Sequence, residues 1–269
     1  MSLTISTCFY IIKSKFDANV YIEWMNNFIS IANQFNLVIY TDEKSLQYIE
    51  TKGNPNIMII IRPIESFYLY KFKEYWIENH KKNTLLNDRT EWKLNMLWSE
   101  KIWFVKETIE RKYFDTDFYA WCDIGYFRND KDDLNTTFLS NWCNPEKISR
   151  LKKDKIYYAC INNDVRYINY LIKIINKKNI IGLPINEIPA IQTSVSGGFF
   201  IIHKDKIDWW SGTYENKLSL YFQNKYLVKD DQIILADCIL TNENMCHFFL
   251  FKENVKRFNN WFMFQRILL

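Results

Sequence analysis

The chain has 269 residues, 48% of them apolar, enough to bury roughly three-quarters of its unfolded surface without disulfide or metal staples. Its 35 Lys and Arg against 31 Asp and Glu leave a formal charge of +4, too mild for a nucleic-acid-tracking surface, and the basic run 147–153 is short and followed by Asp154, as in a solvated loop. No apolar run approaches the ~18 residues that span a bilayer, no leader-like segment opens the sequence, and six scattered cysteines form no CxxC pair; a soluble cytoplasmic protein without a zinc site is expected.

Apolar patterning then alternates along the chain. Thr4–Ile12 reads as a buried strand, and Tyr21, Trp24, Phe28, Ile31 and Phe35 follow on one helical face. Leu37–Tyr40 is a second strand ending in Thr41-Asp42, Ser45–Lys52 a short helix stopped by Gly53, and Ile57–Ile61 a third strand ended by Pro63. Short links between such elements imply right-handed parallel crossovers, hence a Rossmann-like half-sheet. The first strand is not followed by GxGxxG, which counts against a dinucleotide cofactor. Phe67–His80 and Trp92–Tyr113 read as helices, the second with a stripe of Leu94, Trp98, Ile102, Val105 and Ile109. Lys101 sits at the edge of that stripe, placed either to reach a pocket at the sheet rim or to snorkel into solvent. Phe118–Cys122 is the fourth strand; Lys155–Cys160 and Ala190–Val195 are further strands flanking a helix at Ile168–Lys177. Phe199–Ile202 is the next strand, Asp205 the cap of a helix bearing Ile207, Trp210, Tyr214, Leu218 and Tyr221, and Lys229-Asp230-Asp231-Gln232 opens a last helix. No linker interrupts the pattern, so residues 1–269 are expected to form a single α/β domain, a mixed, mostly parallel sheet with helices on both faces.

Three polar interruptions stand out in this apolar framework. In Trp121-Cys122-Asp123-Ile124-Gly125-Tyr126-Phe127-Arg128 a buried strand breaks into an acid, a glycine and an arginine. The carboxyl end of a strand is where open α/β sheets bind ligands. There Asp123 can hold a metal or a ligand hydroxyl, Gly125 lets backbone approach a bulky ligand, and Arg128 offers a fork for phosphate. The other two are Ser196-Gly197-Gly198, before a strand, and Asp230-Asp231-Gln232, at a helix start where acids also complement the dipole. Taken jointly they describe one cleft. The 20 Phe, 17 Tyr and 10 Trp suit a core and equally a site that stacks rings on sugar faces or a nucleobase.

Lys13-Ser14-Lys15-Phe16, Tyr21-Ile22-Glu23-Trp24-Met25, Tyr40-Thr41-Asp42, Leu97-Trp98-Ser99-Glu100-Lys101, the Trp121–Arg128 block, Gly197-Gly198-Phe199-Phe200 and Asp231-Gln232 occur in this order, and over residues 4–240 the chain resembles the HtrL/YibB-like family. The resemblance implies a glycosyltransferase-A fold with a nucleotide-sugar donor across the carboxyl edge of the sheet and a glycan or other hydroxyl acceptor. On it Asp42 contacts the nucleoside, and Asp123 stands where a DxD motif holds Mn2+ or Mg2+ against the diphosphate, although the third position here is Gly125. Lys101 and Arg128 can supply positive charge to the departing diphosphate instead. His247 is the histidine placed to be a late metal ligand, with a satisfied core histidine as the alternative; His80 and His203 read as structural. Asp231, with Asp230 as substitute, is the candidate base for an inverting transfer; in a retaining enzyme Asp231 and Gln232 would hold donor hydroxyls instead. Gly197 and Gly198 would let a sugar lie on bare backbone. A non-catalytic sugar-nucleotide binding module and a protein-interaction domain are the rival readings.

Overall fold

A computed structural model of the chain describes residues 2–269 apart from Asp132 and Lys256. Its first strand, β1 (Leu3–Phe9), is buried along its whole length, and α1 (Ala18–Ser30), N-capped by Asp17, turns Trp24, Met25, Phe28 and Ile29 inward. β2 (Asn36–Thr41), α2 (Glu43–Leu46) and β3 (Ile57–Ile61) complete the first half. A 3-10 turn at Tyr68–Phe72 leads into α3 (Lys73–Lys82), followed by α4 (Trp92–Arg111) and β4 (Phe118–Cys122). Then come α5 (Pro145–Ser149), β5 (Ile156–Ala159), α6 (Val165–Asn176), β6 (Phe199–His203), α7 (Ile207–Gln223), α8 (Asp231–Ile239), β7 (Phe248–Phe251) and α9 (Met263–Ile267).

The strands form one seven-stranded sheet in the order β3-β2-β1-β4-β6-β5-β7. β3, β2, β1 and β4 run parallel, β6 is antiparallel to both its neighbours, and β5 and β7 are parallel to each other. The period of two along each strand explains the two cores. Val38, Tyr40, Tyr119, Trp121, Ile156, Tyr158, Phe200 and Ile202 face α3, α4, α6, α7 and α8. Their alternates, including Leu37, Ile39, Phe118, Ala120, Tyr157 and Ile201, face α1, α5 and α9. The expected mixed, mostly parallel sheet with helices on both faces is therefore present. No helix among the described residues is long and apolar enough to cross a membrane.

Several expected boundaries move for local reasons. β1 stops at Phe9 because its parallel partner β2 ends there, Phe9 pairing with Thr41. The helix expected at Ser45–Lys52 is instead the shorter α2, which starts at Glu43 because Asp42 caps it, accepting from Ser45 N at 2.7 Å. Ala190–Val195 is not a strand: a turn at Pro189–Gln192 bends the segment, and only Val195 bridges, to Cys160. Nor does Asp205 cap α7; it lies in the 3-10 turn Lys204–Lys206 that precedes the helix, and its own N–H donates to Nδ1 of the buried His203.

The strand order reverses at β1, with β2 and β3 on one side of it and β4 on the other. Crevices at the carboxyl edge of such a reversal are where open α/β sheets take ligands. Cys8 and Phe9 of β1 and Trp121 of β4, with Asp123 just beyond it, lie at this edge.

Candidate active site

A cleft of about 390 Å3 opens there, between the ends of β1 and β4, the face of α4, the start of α8 and the C-terminal segment around Trp261. At its floor is Lys101. The alternation that points Trp121 toward α4 does the same for Asp123, two residues on, and α4 directs Lys101 at both. Lys101 Nζ pairs with Asp123, 3.0 Å from Oδ1 and donating to Oδ2 at 3.3 Å, and donates to Asp231 Oδ2 at 3.0 Å and to the Gly197 carbonyl at 2.9 Å. Trp121 Nε1 donates to Asp123 Oδ1 at 2.7 Å, and Asp123 N–H to the Gly198 carbonyl at 2.8 Å. One ammonium thus joins the three polar interruptions that lie far apart in sequence. It does not snorkel. The Lys101 side chain is 7% exposed, because the two carboxylates and the carbonyl hold the ammonium at the cleft floor.

Burial by itself would depress the Lys101 pKa, but the adjacent Asp123 and Asp231 carboxylates outweigh it and hold the ammonium firmly charged. Asp231 is pushed up to about 6, chiefly by burial, with Lys101 pulling it down and the charges of Asp230 and Asp123 pushing it up. Asp231 Oδ1 has no hydrogen-bond partner among the described residues, since Lys101 engages Oδ2. Gly197 is needed here: a Cβ on it would lie 2.4 Å from Asp231 Oδ2. Gly198 lies on the Asp123 side, where a Cβ would be 3.5 Å from Oδ2, an ordinary contact.

Three buried asparagines set the height of the acids. Asn79 and Asn95 donate from Nδ2 to the Val228 carbonyl (2.7 and 2.9 Å), and Asn83 to that of Lys229 (2.9 Å). The chain entering α8 is thereby clamped to α3 and α4. Asp230 is the N-cap residue by position, yet its side chain caps nothing: Oδ2 pairs with Lys229 at 2.9 Å and Oδ1 is buried without a partner among the described residues. Neither Asp230 nor Asp231 therefore makes a side-chain capping hydrogen bond, although Asp231 lies in the first turn of α8. Gln232 lines the cleft beside them.

Two cations that line the cleft have no carboxylate partner among the described residues. Lys15, on the loop after β1, lies 4.6 Å from the centre of the Trp98 ring, and burial lowers its pKa. Arg128 stacks on Trp24 at 4.3 Å and donates from Nε to the Gly125 carbonyl at 2.9 Å. Gly125 makes room for the Trp24 ring of this stack, since a Cβ there would lie 2.7 Å from Trp24 Cε3, and it also lines the cleft. The Arg128 loop is braced by the C-terminal helix: Asp133 Oδ2 accepts from Arg128 N–H (2.9 Å), and the buried Gln265 donates to Asp133 Oδ2 (3.3 Å) and to the Tyr126 carbonyl (2.8 Å).

Two expected site residues lie elsewhere. Asp42 does not line the cleft; its Oδ1 caps α2, whose Ser45 Oγ in turn accepts from Ile11 N–H at 2.9 Å and fixes the β1 loop. His247 precedes β7, whose first residue is level with Ile156, Ile202 and Tyr119. Asp123 is four residues beyond that level on β4, ~13 Å along the strands, and β7 lies three strands away, ~14 Å across. His247 packs instead on Trp209 with ring centres 4.2 Å apart, and cannot share a ligand with Asp123. Among the described residues no three His, Cys, Asp or Glu side chains converge as a metal site, and the Asp123 carboxylate already accepts from an ammonium and an indole. Lys15, Trp98, Asn259 and Trp261 line the cleft without having been assigned a role from sequence.

No protein-family model and no curated protein matches the chain. Two solved structures that it resembles are mouse xyloside xylosyltransferase 1, apo form, and galactosyltransferase LgtC in complex with donor and acceptor sugar analogs. The first has a TM-score of 0.48 and 13% identity over 93% of this chain and 85% of the other. For the second the TM-score is 0.46 and the identity 12%, over 93% and 73%. These are loose likenesses of the backbone, and no residue's role is carried over from them.

Proposed function

We propose that this chain is a glycosyltransferase of the HtrL/YibB-like type that moves a sugar from a nucleotide-sugar donor to a hydroxyl acceptor with inversion. The observation that carries the reading is the cluster at the cleft floor: a near-neutral carboxyl, Asp231, held by Lys101 with one oxygen unengaged, in an aromatic-walled cavity that two further cations, Lys15 and Arg128, also line. Asp231 Oδ1 accepts the acceptor hydroxyl's proton as its oxygen forms the new bond to the anomeric carbon. The bond from that carbon to the diphosphate oxygen breaks on the opposite face, and the electron pair leaves with the phosphate. Lys15 and Arg128 take up the charge that develops there, and the Gly197-Gly198 backbone leaves room for the donor sugar. Lys101 is committed to two carboxylates and a carbonyl, so its role is to position Asp123 and Asp231 rather than to meet phosphate. Asp123 accepts a hydrogen bond from a donor-sugar hydroxyl, the second use an acid at this edge allows.

A panel of nucleotide sugars tests the reading. Release of free nucleotide in the presence of an acceptor supports it; saturable binding without turnover would make the protein a binding module, and no binding at all would sink both. Because the charge is supplied by side chains, EDTA is expected to leave turnover unchanged, and restoration of a lost activity by Mn2+ would show the assignment wrong. Arg128→Ala is expected to weaken nucleotide-sugar binding about ten- to a hundredfold, the loss of one charge-assisted contact. Isothermal titration against the nucleotide sugar that the panel selects measures it, and unchanged affinity would remove Arg128 from the diphosphate site.

A further inference from the structure

A second groove, of about 430 Å3, adjoins the cleft and shares Asn259 and Trp261 with it. It is built from the loop after β5, Thr193 and the segment leading to α9. Its polar wall is Asn162, Asn163, Thr193, Asn254, Asn259 and Asn260, and its apolar walls include Phe258 and Trp261. None of its described lining residues is charged. Part of the amide capacity is uncommitted: Asn260 Oδ1 is buried without a hydrogen-bond partner, although its Nδ2 donates to the Ile161 and Glu253 carbonyls (3.2 and 3.4 Å). Asn163 and Asn254 are exposed, and their amides bond to no described residue.

This is an unusual surface chemistry. Asparagine offers paired donors and an acceptor with no charge, which matches the vicinal hydroxyls of a sugar ring, while a tryptophan face covers the ring's apolar C–H side. A phosphate or an acidic peptide would find no cation among the described lining residues. A hydrophobic partner would have to strip water from several amides without replacing their hydrogen bonds, at about 1–3 kcal/mol for each one left unsatisfied. The volume is within the roughly 300–1,000 Å3 of pockets that enclose small ligands. We infer that the asparagine-lined groove binds the neutral sugar units of the acceptor glycan, with Trp261 as the platform at the junction and the glycan's reactive end passing into the cleft. The assignment rests on the glycosyltransferase reading only for the word acceptor; the groove's preference for a neutral glycan stands on its own lining.

The test uses the full-length protein and a double variant, Asn163→Ala with Asn254→Ala. Both positions are exposed and outside the cleft, so folding and nucleotide-sugar binding should not change. The probe is an array of neutral and of acidic oligosaccharides, each presented free, on a lipid and on a peptide. The parent is expected to bind a subset of neutral oligosaccharides on every carrier, and the double variant to bind them at least about tenfold more weakly, as two lost hydrogen bonds imply. Nucleotide-sugar affinity and slow donor hydrolysis by water should be equal in the two proteins. Equal glycan binding by parent and variant, binding confined to acidic glycans, dependence on the lipid or peptide carrier, or no glycan binding by the parent would each overturn the assignment. If glycan binding falls as expected but neither protein binds any nucleotide sugar, the groove stands and the transferase reading fails.

Discussion

Asp231→Asn is expected to give a folded protein that binds its nucleotide sugar as tightly as the parent and transfers the sugar at least about a hundredfold more slowly, the usual effect of losing a general base. Asparagine keeps the volume and can still accept from Lys101, but it cannot take a proton. The alternative account of this residue, a helix-capping acid, is already weakened because neither Asp230 nor Asp231 caps α8 with its side chain. The two accounts also predict different pH behaviour. The base must be ionised, and burial has pushed Asp231 up to about 6, so turnover in the parent should rise with pH through about 6 and then level. Stability runs the other way. A carboxyl whose folded pKa lies above its ordinary 3.8 contributes most below that value and loses the contribution as pH rises through about 6. Activity and this part of stability should therefore cross between the two pH values, and the Asn variant should lack both limbs. Near-parent transfer by a folded Asn variant, with the acid limb intact, would move the base elsewhere, and Asp230, with its unpartnered Oδ1, would be the next residue to replace.

The sheet was readable in the sequence because strands buried on both faces must be continuous apolar runs: Leu37–Tyr40, Phe118–Cys122 and Phe199–Ile202 each fall within buried strands, and the apolar run Ile57–Ile61 is the partly buried edge strand. What the runs cannot show is where hydrogen bonding stops. β1 ends with its partner, not with its last isoleucine, and 190–195 is apolar enough for a strand but is bent by a proline turn. At the site, Asp123, Asp231, Gly197 and Gly198 were legible as breaks in apolar patterning and Lys101 as a lysine at the edge of a helical stripe, and they do meet. Asp42 and His247 were placed by resemblance alone, and the register of β7 and the short helix α2 put them to other uses. The asparagine clamps left no signal, because Asn79, Asn83 and Asn95 resemble the many surface asparagines of this chain until the backbone they hold is known. Nor did the C-terminal segment: Trp261 reaches the cleft, and Gln265 braces the Arg128 loop, only through tertiary packing, far from any motif.

Lys101→Met should have the largest effect on stability. Methionine fits the volume of the stem but leaves Asp231 buried with no counter-charge; its side chain is only 6% exposed, against 38% for Asp123, so the penalty falls chiefly on Asp231. Removing one partner of a buried pair typically costs about 3–5 kcal/mol. The loss should depend on pH in a defined direction. Lys101 is the main influence that lowers the Asp231 pKa, so without it the carboxyl titrates above about 6, and protonation relieves the buried charge in acid. The variant should thus be least stable above that pH and recover toward the parent below it. A second replacement separates this from simple misfolding. Lys101→Met combined with Asp231→Leu removes both charges, and a neutral pair in the same space should regain most of the lost stability while remaining inactive. Chemical denaturation of the parent, both single variants and the double variant between pH 5 and 8 measures the coupling. If Lys101→Met unfolds at the same denaturant concentration as the parent across that range, the ammonium is not the counter-ion that holds the acids. If the double variant is no better than the single, the loss comes from packing around α4 and not from an unpaired carboxylate.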